Sequence, residues 1–281
     1  MWRLTLLVAV CSCNEVFGLH ATREIDAQQF DATTDAPPNC PPIGTVPEFA
    51  RRLHQAVTQN CVNYTSSESA NVAVAYCLDV DQIADGEVDG PLSPSTFVPA
   101  VNGSEPRLTP EGDEMWIRQR TNTPIFTVYK HDSSHTWLKL RDLTVVTSSQ
   151  DDSISAPTRR GPGGRRFVRY AFAEFRLYEY LDDGTTATPV HVYTTTALGV
   201  QFLLFPNLSA DGLRLTFVGA LQSSASSAGV TLYADRASLS DLFVTAVAIP
   251  SAPVVDDPFL TADCGRLYTS GLGSIFYAQL R

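Results

Sequence analysis

The sequence predicts a mainly β domain, an antiparallel β-sandwich or jelly-roll-like fold carrying one short N-terminal helix. Three observations predict it. Between residues 165 and 221 apolar and β-branched side chains recur with a period of two, which places them on one face of a pleated strand. From Val190 the even positions run Val190, Val192, Thr194, Thr196, Leu198, Val200, Phe202 and Leu204, and from Leu213 the odd positions Leu213, Leu215, Phe217 and Leu221 do the same, with Arg214 and Thr216 facing away. Turn formers at Asp182-Asp183-Gly184 and over residues 207–212 join these runs as hairpins.

Residues 1–18 hold a lone Arg3, an apolar run over 4–10, and Val16 and Gly18 ahead of a cleavage position. That is the pattern of a secretory signal peptide. Residues 19–42 are polar, contain Pro37-Pro38 and read as a flexible leader. Residues 43–281 read as a single β-rich extracellular domain. Thr45-Val46-Pro47-Glu48 fits a capping box, and Phe49, Leu53, Ala56 and Val57 follow at helical spacing, so a surface helix is expected to about Asn60.

The formal charge of −10 disfavours nucleic acid or an anionic membrane as the main partner, since both call for a basic surface. No later segment reaches the roughly 20 apolar residues of a membrane helix, so no transmembrane segment is expected and the product is read as secreted. Of six cysteines, Cys11 and Cys13 fall in the signal, which leaves Cys40, Cys61, Cys77 and Cys264. In an oxidising compartment these form two disulfides with three possible connectivities. The preferred one joins Cys61 to Cys77, a short loop, and Cys40 to Cys264. No C-x-x-C pair exists to favour zinc. Asn63, Asn102 and Asn207 each begin a glycosylation sequon.

Val72, Val74, Tyr76, Leu78 and Val80 alternate as a strand and run into Asp79, Asp81, Asp85, Glu87 and Asp89. Calcium takes several oxygen ligands, but Ile83 stands where a third would be needed, so a solvated acidic loop is expected and no metal is assigned. Residues 90–110 are punctuated by proline, glycine and serine and read as an irregular segment, either an exposed loop or an internal boundary. Strands are then expected over 125–129 and 137–146, separated by His131-Asp132-Ser133-Ser134-His135. A hydroxyl nucleophile needs a base and an orienting acid, yet neighbours in a tight turn point apart and no Gly-x-Ser-x-Gly elbow is present. The segment is read as a turn.

The connection over residues 148–166 contains Arg159, Arg160, Arg165 and Arg166 around Gly161-Pro162-Gly163-Gly164, the one dense basic stretch of an acidic chain. Guanidinium forks suit sulfate, phosphate or carboxylate, and this loop is the first candidate for a ligand site. Beyond it, Val168, Tyr170 and Phe172 occupy one phase and Phe175 and Leu177 the other, which calls for a β-bulge, or a strand that changes its buried face, near Ala173. Apolar runs continue over 230–234 and 243–249, and a last strand covers 274–280. No repeat of fixed period is evident.

The function these features favour is a secreted glycoprotein that binds an extracellular protein or acidic glycan through its loops. A second reading is a carrier of a lipid or other apolar ligand in a β-walled cavity lined by Phe167, Tyr170, Phe172, Phe175, Tyr178 and Tyr180. A third is a secreted hydrolase using the His131–His135 turn, or carboxylates such as Glu174 and Glu179. No catalytic motif is recognised and no cofactor is expected.

Overall fold

The computed structural model describes residues 40, 49–51, 64–69, 72–77, 82–87, 90–119, 125–133, 135–145, 153–225, 228–249, 256–271 and 274–279. After β1 (Phe49–Arg51) the chain forms one sheet from β2 (Tyr64–Glu68), β3 (Val72–Cys77), β4 (Gln82–Glu87) and β5 (Ser93–Pro94). A second holds β6 (Thr96–Val98), β7 (Gly103–Leu108), β8 (Glu114–Gln119), β9 (Ile125–Ser133) and β10 (Thr136–Thr144). The third contains β11 (Ser153–Ile154), β12 (Arg165–Ala171), β13 (Arg176–Asp182) and β14 (Ala187–Thr194). The fourth contains β15 (Val200–Leu208), β16 (Arg214–Leu221), β17 (Val230–Asp235) and β18 (Val247–Ala248). The fifth has β19 (Asp256–Leu260), β20 (Arg266–Gly271) and β21 (Ser274–Gln279), and β1 pairs antiparallel with β21 to complete it. Each sheet is an up-and-down meander, and strand β6 adds to the second by pairing parallel with β10.

Five small sheets in sequence, closed by the first strand joining the last sheet, make a five-bladed β-propeller. This corrects the expected sandwich and jelly roll. The alternation of period two is common to all these folds, but a blade packs against two neighbours and is buried on both faces. Strand β16 shows the consequence, because Arg214 and Thr216 are as buried as Leu215 and Phe217. The apolar side chains accordingly divide into wedges between blades: Val74, Met115 and Trp137 between the first and second, Trp116, Phe126, Phe167 and Tyr180 between the second and third, and Tyr170, Leu177, Leu203 and Phe217 between the third and fourth. Conversely, Val190 and Val192, expected in the core, are exposed, because β14 is an outer edge strand.

The blades repeat one hairpin. Ser69, Thr109, Thr158, Ser209 and Thr261 each close the first strand of a blade, donating their N–H to the carbonyl of Val72, Glu114, Arg166, Arg214 and Arg266 respectively. In return the hydroxyl oxygen of each accepts the N–H of that same residue, at 2.8–3.2 Å. In three blades the third residue after the hydroxyl takes a left-handed conformation: Gly112 at φ +76°, Gly212 at +74° and Cys264 at +57°. Gly112 is doubly constrained, since a β-carbon there would lie 2.4 Å from Ser69 Oγ of the neighbouring blade. The same three blades carry a bulge four residues before the hydroxyl, where Glu105, Phe205 and Asp257 precede a proline at positive φ. The blades therefore share a repeated hairpin, although its spacing along the chain is not fixed.

Other expectations need correcting or fall outside the described residues. Phe49–Arg51 is strand, not helix, and the rest of residues 45–60 lies outside the described residues, as do residues 1–39, which include the signal and most of the leader. The phase slip near Ala173 is a 3-10 turn (Phe172–Glu174) ending on Phe175 in the left-handed region, not a bulge. Cys40 is joined to Cys264. Cys61 and the side chain of Cys77 lie outside the described residues. Among the described residues no helix is long and apolar enough to cross a membrane.

Candidate functional site

Propellers offer two places for a ligand, the axis and the loops that rim a face. The axis is filled. Arg107 of β7 donates from Nη1 to Asp257 Oδ2 of β19 at 2.8 Å and from Nη2 to Oδ1, and its Nε reaches the Ile154 carbonyl of β11 at 3.2 Å. One side chain thus ties three blades, and both members of the ion pair are fully buried. Asn207 holds the same repeat position in β15 and reaches the segment just after β11, its Oδ1 accepting the Ala156 N–H at 3.0 Å. Where the hairpins converge, Leu108, Pro110, Ala156, Pro157, Ala210 and Ala262 leave a gap of only about 10 Å³, roughly one water.

Beside the ion pair, Glu105 lies 3.1 Å from Arg118. Burial raises its carboxyl above the usual range, and the Arg118 and Arg107 charges offset this only in part. Glu179 behaves oppositely at the seam between the third and fourth blades. Burial pushes it up, but bonds from Arg236, Arg166 and the Tyr193 hydroxyl outweigh that and hold it below the carboxylate range.

The hairpin face is where the sequence-derived candidates fall, and it separates the four arginines into two pairs. Arg165 is buried: Nη1 donates to Glu111 at 2.8 Å and to the Thr158 carbonyl at 3.0 Å, with Asp113 and Glu114 within 3.8 Å. Arg166 donates to Glu179 at 2.8 Å. These two anchor the loop to neighbouring strands and hairpins and do not form part of an exposed basic patch. Arg159 and Arg160 remain exposed at the loop tip, Arg160 lying 3.8 Å from Glu114.

A second feature of this face brings together two segments that the sequence keeps apart. Strand β4 of the first blade and the β9–β10 turn of the second enclose a cleft of about 520 Å³ lined by Val72, Asp85, Glu87, Ser93, His131 and His135. Asp85 is buried and accepts a hydrogen bond from Ser95 Oγ. His135 Nδ1 lies 3.3 Å from its Oδ1. His135 is fixed by its left-handed backbone, φ +59°, and by its carbonyl, which accepts the Thr96 N–H at 2.6 Å. The His131 ring packs on buried Trp137 at 4.7 Å between centroids. Serine and histidine both converge on Asp85, and among the described residues neither imidazole hydrogen-bonds a serine hydroxyl.

The remaining predicted positions are placed as follows. Asn102 is exposed on the connection into β7. Asn207 is 1% exposed and its Oδ1 accepts the Ala156 N–H. Asn63, Asp79, Asp81 and Asp89 lie outside the described residues. Among the described residues no group of three or more histidine, cysteine, aspartate or glutamate side chains is arranged to hold a metal ion.

No protein family matches the chain, and no curated protein matches its sequence. Solved structures resemble it at low identity. TolB from Acinetobacter baumannii is 12% identical over 78% of this chain and 54% of its own, with a TM-score of 0.45. This chain therefore spans about half the length of that protein. A functionally unknown protein from Desulfotomaculum acetoxidans is 9% identical over 76% and 64%, TM-score 0.44. The β-propeller domain of Swd1 from Myceliophthora thermophila is 11% identical over 75% and 66%, TM-score 0.39. The propeller assignment rests on the strand pairing described above.

Proposed function

We propose that this chain is a secreted binding module that engages an extracellular protein or acidic glycan through its hairpin face. A propeller is a common protein-binding scaffold and fits such a module. The observation that supports this reading is the third blade's hairpin loop. It spans 158–166 where the equivalent loops of the second, fourth and fifth blades need only six residues, it is anchored by buried Arg165 and by Arg166, and it presents Arg159 and Arg160 to solvent. A loop pinned at its base and charged at its tip suits recognition of sulfate or carboxylate groups, because little order has to be gained on binding. The lipid-carrier alternative has less in its favour, since among the aromatic residues it invoked Phe167, Tyr170 and Tyr180 pack between blades and Phe172 and Phe175 stand exposed.

The test is surface plasmon resonance with a heparin-type sulfated oligosaccharide and a glutamate-rich peptide, on the native chain and on a chain carrying Arg159→Ser and Arg160→Ser. At least tenfold weaker binding of one probe by the variant, with a shallower salt dependence, is expected. Unchanged binding by the variant, or no binding of either probe to the native chain, contradicts the reading.

A further inference from the structure

The cleft between the first two blades differs from the arginine loop in the sign of its charge, and its occupant differs accordingly. Among the described residues its lining holds Asp85 and Glu87 and no lysine or arginine. Asp85 meets a hydroxyl and an imidazole edge where the carboxylates of the axis and of the third blade meet guanidinium groups. Among the described residues neither arginine nor lysine pairs with this buried carboxylate, the condition under which an incoming cation gains most. Glu87 stands exposed at the rim. The rest of the wall is suited to a hydrocarbon stem, with Val72 and Pro91 on the first blade and the His131 ring, backed by Trp137, on the second. The volume, about 520 Å³, lies within the range of small-ligand sites. Gly86 shapes this wall, because a β-carbon there would lie 2.3 Å from the Pro91 carbonyl oxygen, so the strand and the loop above it meet only without a side chain.

We propose that this cleft is a binding site for an alkylammonium or guanidinium group on an aliphatic stem, with Asp85 as its ion partner, Glu87 as a second carboxylate at the entrance, and Val72, Pro91 and His131 against the stem. The chemistry is that of a lysine or arginine side chain, and a free alkylamine shares it. The site is independent of the anion-binding loop, so either can fail while the other stands.

The test uses the full chain and four probes: Nα-acetyl-lysine-N-methylamide, its arginine counterpart, the neutral isostere Nα-acetyl-norleucine-N-methylamide, and n-butylamine. Nuclear magnetic resonance of the imidazole groups reports on His131 and His135 directly. The lysine and arginine probes are expected to shift both rings saturably, while the norleucine probe leaves them in place. Glu87→Gln, an exposed change that leaves the fold intact, is expected to weaken binding about threefold and Asp85→Asn at least tenfold, with Arg159→Ser plus Arg160→Ser without effect. If butylamine binds as tightly as the lysine probe, the occupant is a free amine. If it binds at least tenfold more weakly, the occupant is a polypeptide side chain. Equal binding of the norleucine probe, absence of saturable shifts with either cationic probe, or full affinity in a folded Asp85→Asn chain together with Glu87→Gln would overturn the assignment.

Discussion

The axis and the cleft are both built on carboxylates, yet one is sealed and the other open, and what separates them is the partner each carboxylate has. Asp257 meets the guanidinium of Arg107 in a two-pronged pair with no exposed side-chain surface, and the space beside it shrinks to about 10 Å³. Asp85 is buried as well but meets Ser95 and His135, and its cleft opens to about 520 Å³. A buried charge matched by an opposite charge within the chain serves to hold blades together. A buried charge left with weaker partners beside open space is available to something from outside.

Substitutions sharpen this contrast in order of effect. Arg107→Leu strands Asp257 in the axis and removes ties to two blades, so a loss of about 3–5 kcal/mol is expected in urea denaturation. Arg165→Ser leaves Glu111, Asp113 and Glu114 facing one another and is expected to cost about 2–3 kcal/mol. Arg159→Ser and Arg160→Ser, at the exposed tip of the same loop, should each stay within about 0.5 kcal/mol. Equal losses for Arg165 and Arg159 would dissolve the division of the loop into base and tip.

Acid separates the two buried glutamates. Glu179 has a folded pKa below its unfolded value, so its contribution is complete above the unfolded range of about 4.3 and is lost as pH falls through the folded value. Glu105 is raised in the fold, so its ionised form opposes folding at neutral pH, and that penalty fades as pH falls through the folded value towards the unfolded one. Denaturation between pH 3 and pH 7 is therefore expected to show Glu179→Gln least stable relative to the native chain at pH 7, with the gap closing towards pH 3. Glu105→Gln is expected to match or exceed the native chain at pH 7. The reverse order would contradict the partner assignments.

Much of the local structure was legible in the sequence. The hairpin at Asp182-Asp183-Gly184 and the strands over 125–129 and 137–144 follow from turn chemistry and alternation, and Cys40–Cys264 is the pairing preferred among the three connectivities that the cysteine count leaves open. The ring was not legible, because a period of two says nothing about how many sheets it builds. The repeated hydroxyls at 69, 109, 158, 209 and 261 are spaced by 40, 49, 51 and 52 residues, and one of the cap residues opens a nine-residue loop, so no fixed period betrays them. Arg165 and Arg166 look like Arg159 and Arg160 in sequence, and only the carboxylates brought to them by the second and third blades tell the pairs apart. In isolation the acidic run reads as a solvated loop and the histidine segment as a turn, whereas Asp85 is buried in β4 and β9 runs on through His131 to Ser133, so their meeting is set by how the first two blades pack. The x-Pro-x-Leu-Ser/Thr signature shared by residues 105–109, 205–209 and 257–261 was the one signal that could have revealed the blades.

The most direct measurement is hydrogen exchange by mass spectrometry on the native chain, with and without the blocked lysine probe. A sealed axis and an open cleft predict that segments 103–108 and 256–260 exchange only through global unfolding and ignore the probe, while segments 82–95 and 131–136 exchange faster and gain protection when it binds. Fast exchange at the axis, or protection that appears there instead of at the cleft, would contradict the account.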